Sequence, residues 1–154
     1  MNPAHIHLLL NHFPLVGFVF SFLFLTHGLF RKHENSIQAG LFLLLVSGLI
    51  AIPAFLTGEP AEDVLKQMPV FSKALVHEHE EAAELAIWFI AATSFLAAAS
   101  LWSLKNKKPI YRIILRGTFF LNIFTLIVIA RTNNLGGKIS HPEIRGSESA
   151  HKTE

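Results

Sequence analysis

Four apolar runs set the pattern of this chain: residues 8–30, 39–57, 85–104 and 113–130 are nearly continuous stretches of Leu, Ile, Val, Phe and Ala, separated by short polar segments. Each approaches the roughly 20 residues a helix needs to cross a bilayer. Together they predict an all-α fold, an integral membrane four-helix bundle with a short extracytoplasmic helix between the second and third spans. The spans use nearly all the length, so residues 1–145 read as one transmembrane domain and 146–154 as a polar tail expected to be flexible.

Local signals mark the element ends. Asn2 can cap a first helix with Pro3 at its first position. Glu59-Pro60 can open the short helix, which is expected to run to Met68 before Pro69 breaks it, and Ser72 begins the third long helix. Pro53 predicts a kink in the second span, and Asn122 in the fourth is expected to face the interior and hydrogen-bond there. Residues 131–145 retain Leu135, Ile139 and Ile144 and are expected to fold back on the bundle. No cleavable leader is evident, because Met1 to Leu10 lack a basic n-region, and the first span reads as a retained anchor.

Composition agrees with a membrane protein: 51% of the 154 residues are hydrophobic and only 16% charged, against roughly 25% charged in globular domains. The bilayer is thus the first partner, and no basic surface suggests nucleic acid. Zero cysteines exclude disulfides, thiolate-ligated clusters and thioether-attached haem, so any cofactor must be held by nitrogen and oxygen. Seven Lys/Arg crowd the first and third loops and the adjoining span ends, against six spread over the longer termini and middle loop. Lys/Arg close to the spans mark the cytoplasmic side. The expected location is therefore the cell inner membrane, multi-pass, with both termini extracytoplasmic.

That topology gathers ten of the eleven acids and seven of the nine histidines on one membrane face. The richest stretch is His77 to Glu84 at the mouth of the third span. On a helix with His79 at zero, Glu80, Glu84, His77 and Glu81 fall between about 100° and 200°, so the polar groups share one broad face. Ionisable groups at a membrane edge are a site hypothesis. Several histidines have plainer roles: His33 and His151 read as solvated and His27 as interfacial.

Convergent imidazoles and carboxylates suit a b-type haem on two axial histidines, or a divalent zinc, copper, iron or manganese ion on mixed ligands. Axial ligation needs two imidazoles on different helices, facing inward about 4 Å apart with the metal between them. His12 is the first choice on the first helix, lying two turns inside the apolar zone. His79 is the choice on the third, where Ala82, Ala83 and Ala86 leave room for a flat ring. His7, His77 and His141 are reserves, and Glu80, Glu81 and Glu84 would tune the potential or take coupled protons. The rival metal site would use His7, His12, Glu62, His79, Glu80 and His141. A third reading is a structural subunit of a larger membrane complex, and an oligomer is compatible with all three. A Glu-x-x-His spacing occurs only in the polar tail, at Glu148 and His151, and not on a span as in di-iron bundles; nucleophile and phosphate-loop motifs are absent, and no catalytic residue is assigned.

Four segments carry a resemblance: residues 5–14 (His-Ile-His-Leu-Leu-Leu-Asn-His-Phe-Pro), 57–62 (Thr-Gly-Glu-Pro-Ala-Glu), 79–83 (His-Glu-Glu-Ala-Ala) and 134–144 with its Gly-Gly element. In these the chain is similar to the uncharacterised membrane family called domain of unknown function 2231, over residues 2–145. That family brings no established activity. Some members are joined to Rieske or cytochrome c domains, which implies a respiratory or quinone-linked redox setting and an extracytoplasmic redox partner.

Overall fold

The computed structural model describes residues 2–67 and 71–145. The expected helix end at Met68-Pro69 and the polar tail at 146–154 lie outside the described residues. Six α-helices follow one another: α1 (Pro3–Leu10), α2 (His12–Arg31), α3 (Glu34–Leu56), α4 (Gly58–Leu65), α5 (Lys73–Lys105) and α6 (Tyr111–Ser140), then a 3-10 turn at Pro142–Ile144. Read with α1 and α2, and α3 and α4, as continuous rods, they form four helices long and apolar enough to cross a membrane. The chain is thus a multi-pass membrane protein by length and composition.

Asn2 caps α1 as its sequence suggests, its side-chain oxygen accepting the Ala4 N–H at 3.0 Å with Pro3 at the first position. The first span is not one rod, however. Pro14 lacks the N–H that would pair with the Leu10 carbonyl four residues back, and α1 gives way to α2 at Asn11. The short helix begins at Gly58 rather than at Pro60, with Thr57 at its N-cap. It lies against α1, so two short helices close one end of the bundle. Ser72 stands at the N-cap of α5, in extended conformation.

The fourth helix departs most from expectation. Residues 131–140 do not fold back but continue α6 to Ser140, and the chain turns only at His141. The turn at Pro142–Ile144 is then tied to the helix end, where the Arg145 guanidinium donates to the carbonyls of Lys138 at 2.7 Å and Ile139 at 2.9 Å. Those carbonyls belong to the last turn, which has no intrahelical donors of its own.

Small residues bring the helices close, as lipid-embedded packing favours. Gly17 of α2 lies against Ser47 of α3, and Gly48 of α3 against Ser94 of α5, whose hydroxyl donates to the Leu44 carbonyl at 3.0 Å. Between α5 and α6 the contacts are hydroxyl pairs: Thr93 with Thr125 at 2.8 Å and Ser100 with Thr118 at 3.1 Å. Asn122 is fully buried as expected and donates to the Ser21 hydroxyl at 3.5 Å. The outer surface is apolar: only 22% to 39% of each span's most apolar window is buried, and Trp88, Phe95, Phe120 and Ile127 point outward. Such a surface suits lipid contact.

Candidate cofactor-binding site

At the end closed by α1 and α4, two histidine rings face each other. His7 of α1 and His79 of α5 have ring centroids 6.4 Å apart and planes at 89°. Each is half-buried, and each is fixed from behind through Nδ1. That of His7 lies 3.0 Å from the Ala54 carbonyl and 3.2 Å from the Thr57 hydroxyl. That of His79 lies 3.0 Å from the Thr132 carbonyl. A carbonyl can only accept, so the proton of each ring sits on Nδ1 and Nε2 carries the lone pair. This is the arrangement in which a histidine is oriented and made more basic for a metal.

The supporting carbonyls have physical reasons to be available. Ala54 lies in the last turn of α3, where carbonyls lack intrahelical donors, and α1 delivers an imidazole N–H there. Thr132 lies inside α6, and its carbonyl uses its second lone pair. The neighbouring Gly136 makes this approach feasible: a Cβ there would stand 3.2 Å from His79 Cε1. Thr132 also straps the two helices from its own side, donating its hydroxyl to the Ala82 carbonyl at 3.0 Å.

Two cavities meet at the histidine pair. The inner one, about 70 Å³, is lined by Pro14, Ala86, Ile90 and Ile129 as well as both rings. The outer one, about 500 Å³, is lined by small residues such as Ala4, Gly58, Ala61 and Gly136, with Glu59, Glu62, Glu80 and Glu84. Its volume falls within the roughly 300–1,000 Å³ usual for ligand and cofactor sites. Asn11 borders both cavities, and its Oδ1 is buried with no hydrogen-bond partner among the described residues.

The other candidates lie elsewhere. His12 is exposed, its Nδ1 donating to the Leu8 carbonyl of its own helix at 2.8 Å; the histidine brought to His79 is His7. His77 is exposed and pairs with Glu81 at 3.4 Å. His141 is exposed and meets Glu143 at 2.9 Å, and the Glu143 carboxyl is held below the usual range by its own backbone N–H and by His141. Glu62 is occupied by Lys66, whose ammonium also reaches Asp63. Among the described residues, no three His, Cys, Asp or Glu side chains are grouped to hold a metal ion. The six-residue metal site expected from the sequence is therefore not assembled. What the fold gathers is two inward imidazoles and a carboxylate rim outside them.

Thr57, Thr132 and Gly136 escaped the sequence reading although they orient the two rings. A signal for the last two existed. His79, Ala86, Thr93 and Ser100 recur every seventh residue on α5, and Thr118, Thr125, Thr132 and Ile139 do so on α6. Such a repeat marks one helix face and an antiparallel seam, which leads directly to His79 opposite the Thr132 turn.

No family model, curated protein or solved structure matches this chain.

Proposed function

We propose that the chain is a membrane electron-transfer protein that carries a b-type haem between His7 and His79. The observation that carries this reading is the separation of the two rings. Imidazoles that bind one metal through Nε2, at about 2 Å each, have their ring centres about 6 Å apart, and the two rings here lie 6.4 Å apart. Both Nδ1 atoms are already committed to carbonyls, so Nε2 is the nitrogen left to ligate.

The donor count supports haem over a bare ion. The site offers two nitrogens and no third ligand among the described residues, a set that a macrocycle supplying four nitrogens completes. The small residues around the rings leave space for a flat group, and the apolar inner cavity would receive its apolar edge; at the outer cavity its carboxylates would meet Glu59, Glu62, Glu80 and Glu84, so that binding there requires protons shared between facing carboxyl groups. When bound, haem would supply one-electron chemistry. The chain's own part is to hold both imidazoles in one tautomer, to exclude water with Pro14, Ala86, Ile90 and Ile129, and to surround the outer edge with carboxylates that favour the more positive, oxidised state. With both termini extracytoplasmic, the site would face a soluble or membrane-bound redox partner on that side.

The test is the absorption spectrum of detergent-purified protein, oxidised and dithionite-reduced, with elemental analysis of the same sample. A Soret band, sharp reduced α and β bands and about one iron per chain, all lost in His79→Ala, are expected. Absence of a Soret band from protein expressed with ample haem would overturn the assignment, and stoichiometric zinc, copper or manganese in its place would restore the metal-binding alternative.

A further inference from the structure

At the opposite end of the bundle from the histidine pair, the turns between α2 and α3 and between α5 and α6 flank a third cavity, of about 450 Å³. Its charged lining is Lys32, Arg112, Arg116 and Glu34, and its apolar lining includes Leu29, Ile37 and Leu115. We infer that this cavity holds the phosphate headgroup of an anionic phospholipid.

Three observations carry the inference. First, the charge is unbalanced. Lys32, Arg112 and Arg116 enter none of the ion pairs among the described residues, and Glu34, the lining carboxylate, is occupied by the Gln38 amide at 3.1 Å. Second, Arg112 opposes its own helix, and Arg116 lies one turn further on. α6 begins at Tyr111 with no acid in its first turn, and cations near a helix N-terminus are disfavoured by its dipole. Spaced four apart, Arg112 and Arg116 share one face, so an anion there would satisfy both guanidinium groups and the dipole. Third, the Tyr111 hydroxyl, also in the lining, is buried with no hydrogen-bond partner among the described residues. It is a donor waiting for an acceptor.

The apolar floor selects the source of the phosphate. A free phosphate ion gains nothing from Leu29, Ile37 and Leu115, whereas a diacyl lipid sets its glycerol and first methylenes against them. Basic pockets between membrane helices take anionic headgroups in this way. The inference is independent of the haem reading, since it uses the other end of the bundle.

The experiment is native mass spectrometry of the full chain released from nanodiscs of phosphatidylcholine containing a minor fraction of phosphatidylglycerol. Retention of one phosphatidylglycerol per chain over phosphatidylcholine is expected. In the double variant Arg112→Gln/Arg116→Gln it should weaken about 25-fold, at about fivefold per charge near the membrane surface. Arg131→Gln, at the other end of α6, should leave it unchanged. Tyr111→Phe, which alters no charge, should weaken retention and serves should the double variant fail to fold, as judged by its helical circular dichroism. Equal retention of the two lipids would overturn the inference. So would displacement of phosphatidylglycerol by millimolar inorganic phosphate, which would assign the cavity to a soluble phosphate.

Discussion

His79 and Thr132 hold each other across the α5–α6 interface: the His79 ring donates to the Thr132 carbonyl at 3.0 Å, and the Thr132 hydroxyl returns to α5 at the Ala82 carbonyl, also 3.0 Å. One residue of α6 thus fixes both the His79 ring and the helix that carries it. Thr132→Val keeps the backbone carbonyl and removes only the hydroxyl. It should therefore cost stability, about 0.6 kcal/mol on the scale of hydrogen bonds between membrane helices, since the hydroxyl also reaches the Val128 carbonyl of its own helix at 3.1 Å, while leaving the His79 tautomer intact. Thermal unfolding in detergent measures the first, and an unchanged reduced spectrum the second.

Gly136 and Gly137 offer a paired test, because both sit within α6 and both should gain up to about 1 kcal/mol of helix propensity when changed to Ala. They differ in what the new methyl meets. At Gly137 it finds Ile144 Cδ1 at 3.9 Å, an ordinary contact, whereas at Gly136 it finds His79 Cε1 at 3.2 Å. Gly137→Ala should raise the unfolding temperature. Gly136→Ala should fall short of it and reduce haem retention, since the ring must move by a few tenths of an ångström. Equal behaviour of the two variants would show that the His79 ring is not confined by the α6 backbone.

The four spans, the Asn2 cap, the start of α5 at Ser72 and the burial of Asn122 were legible because each depends on local chemistry or on apolar length. The choice of His7 over His12 was not. Depth counted from the chain start favours His12, but that count assumes an unbroken first span. The Pro14 break at Asn11 and the packing of α4 against α1 turn one side of the outermost turns toward the bundle, and the half-buried His7 lies on that side. The course of residues 131–140 was hidden for a related reason. Asn133, Asn134, Gly136 and Gly137 read as loop by propensity, yet the tertiary context keeps them helical because α5 extends alongside.

The hydroxyl pairs of the α5–α6 seam make a further quantitative test. Thr93 and Thr125 are fully buried and 2.8 Å apart, and each hydroxyl also lies within hydrogen-bond distance of the carbonyl four residues earlier, so that two protons serve three contacts. With that local alternative open to both, their mutual bond should be weak. A double-mutant cycle of Thr93→Val and Thr125→Val should give a coupling of about 0.6 kcal/mol, below the roughly 1.7 kcal/mol upper end for such pairs. A larger value would mean that one hydroxyl donates across the interface rather than within its helix.

The carboxylate rim predicts the direction of the redox potential. Glu80 and Glu84 both line the outer cavity, while Glu78 lies outside it. A negative charge at the cavity mouth stabilises the ferric state through Coulomb attraction, reduced by solvent because both carboxylates are exposed. The double variant Glu80→Gln/Glu84→Gln should accordingly raise the midpoint potential by tens of millivolts, and Glu78→Gln should leave it in place. Redox titration followed in the α band distinguishes them.

Substitution of His7 by a second kind of ligand separates ligation from structural support. If His7 only anchored α1 to the Ala54 carbonyl, His7→Met and His7→Ala would be alike, since neither side chain can donate there. If His7 ligates iron, the thioether replaces one imidazole: His7→Met should retain haem with a raised midpoint potential, as exchange of His for Met does in haem proteins, and His7→Ala should lose it. His12→Ala should behave as the unaltered protein in the same spectra, because the exposed His12 ring bonds only within its own helix. Loss of haem from His12→Ala together with an unshifted His7→Met would reverse the assignment and return the axial position to His12.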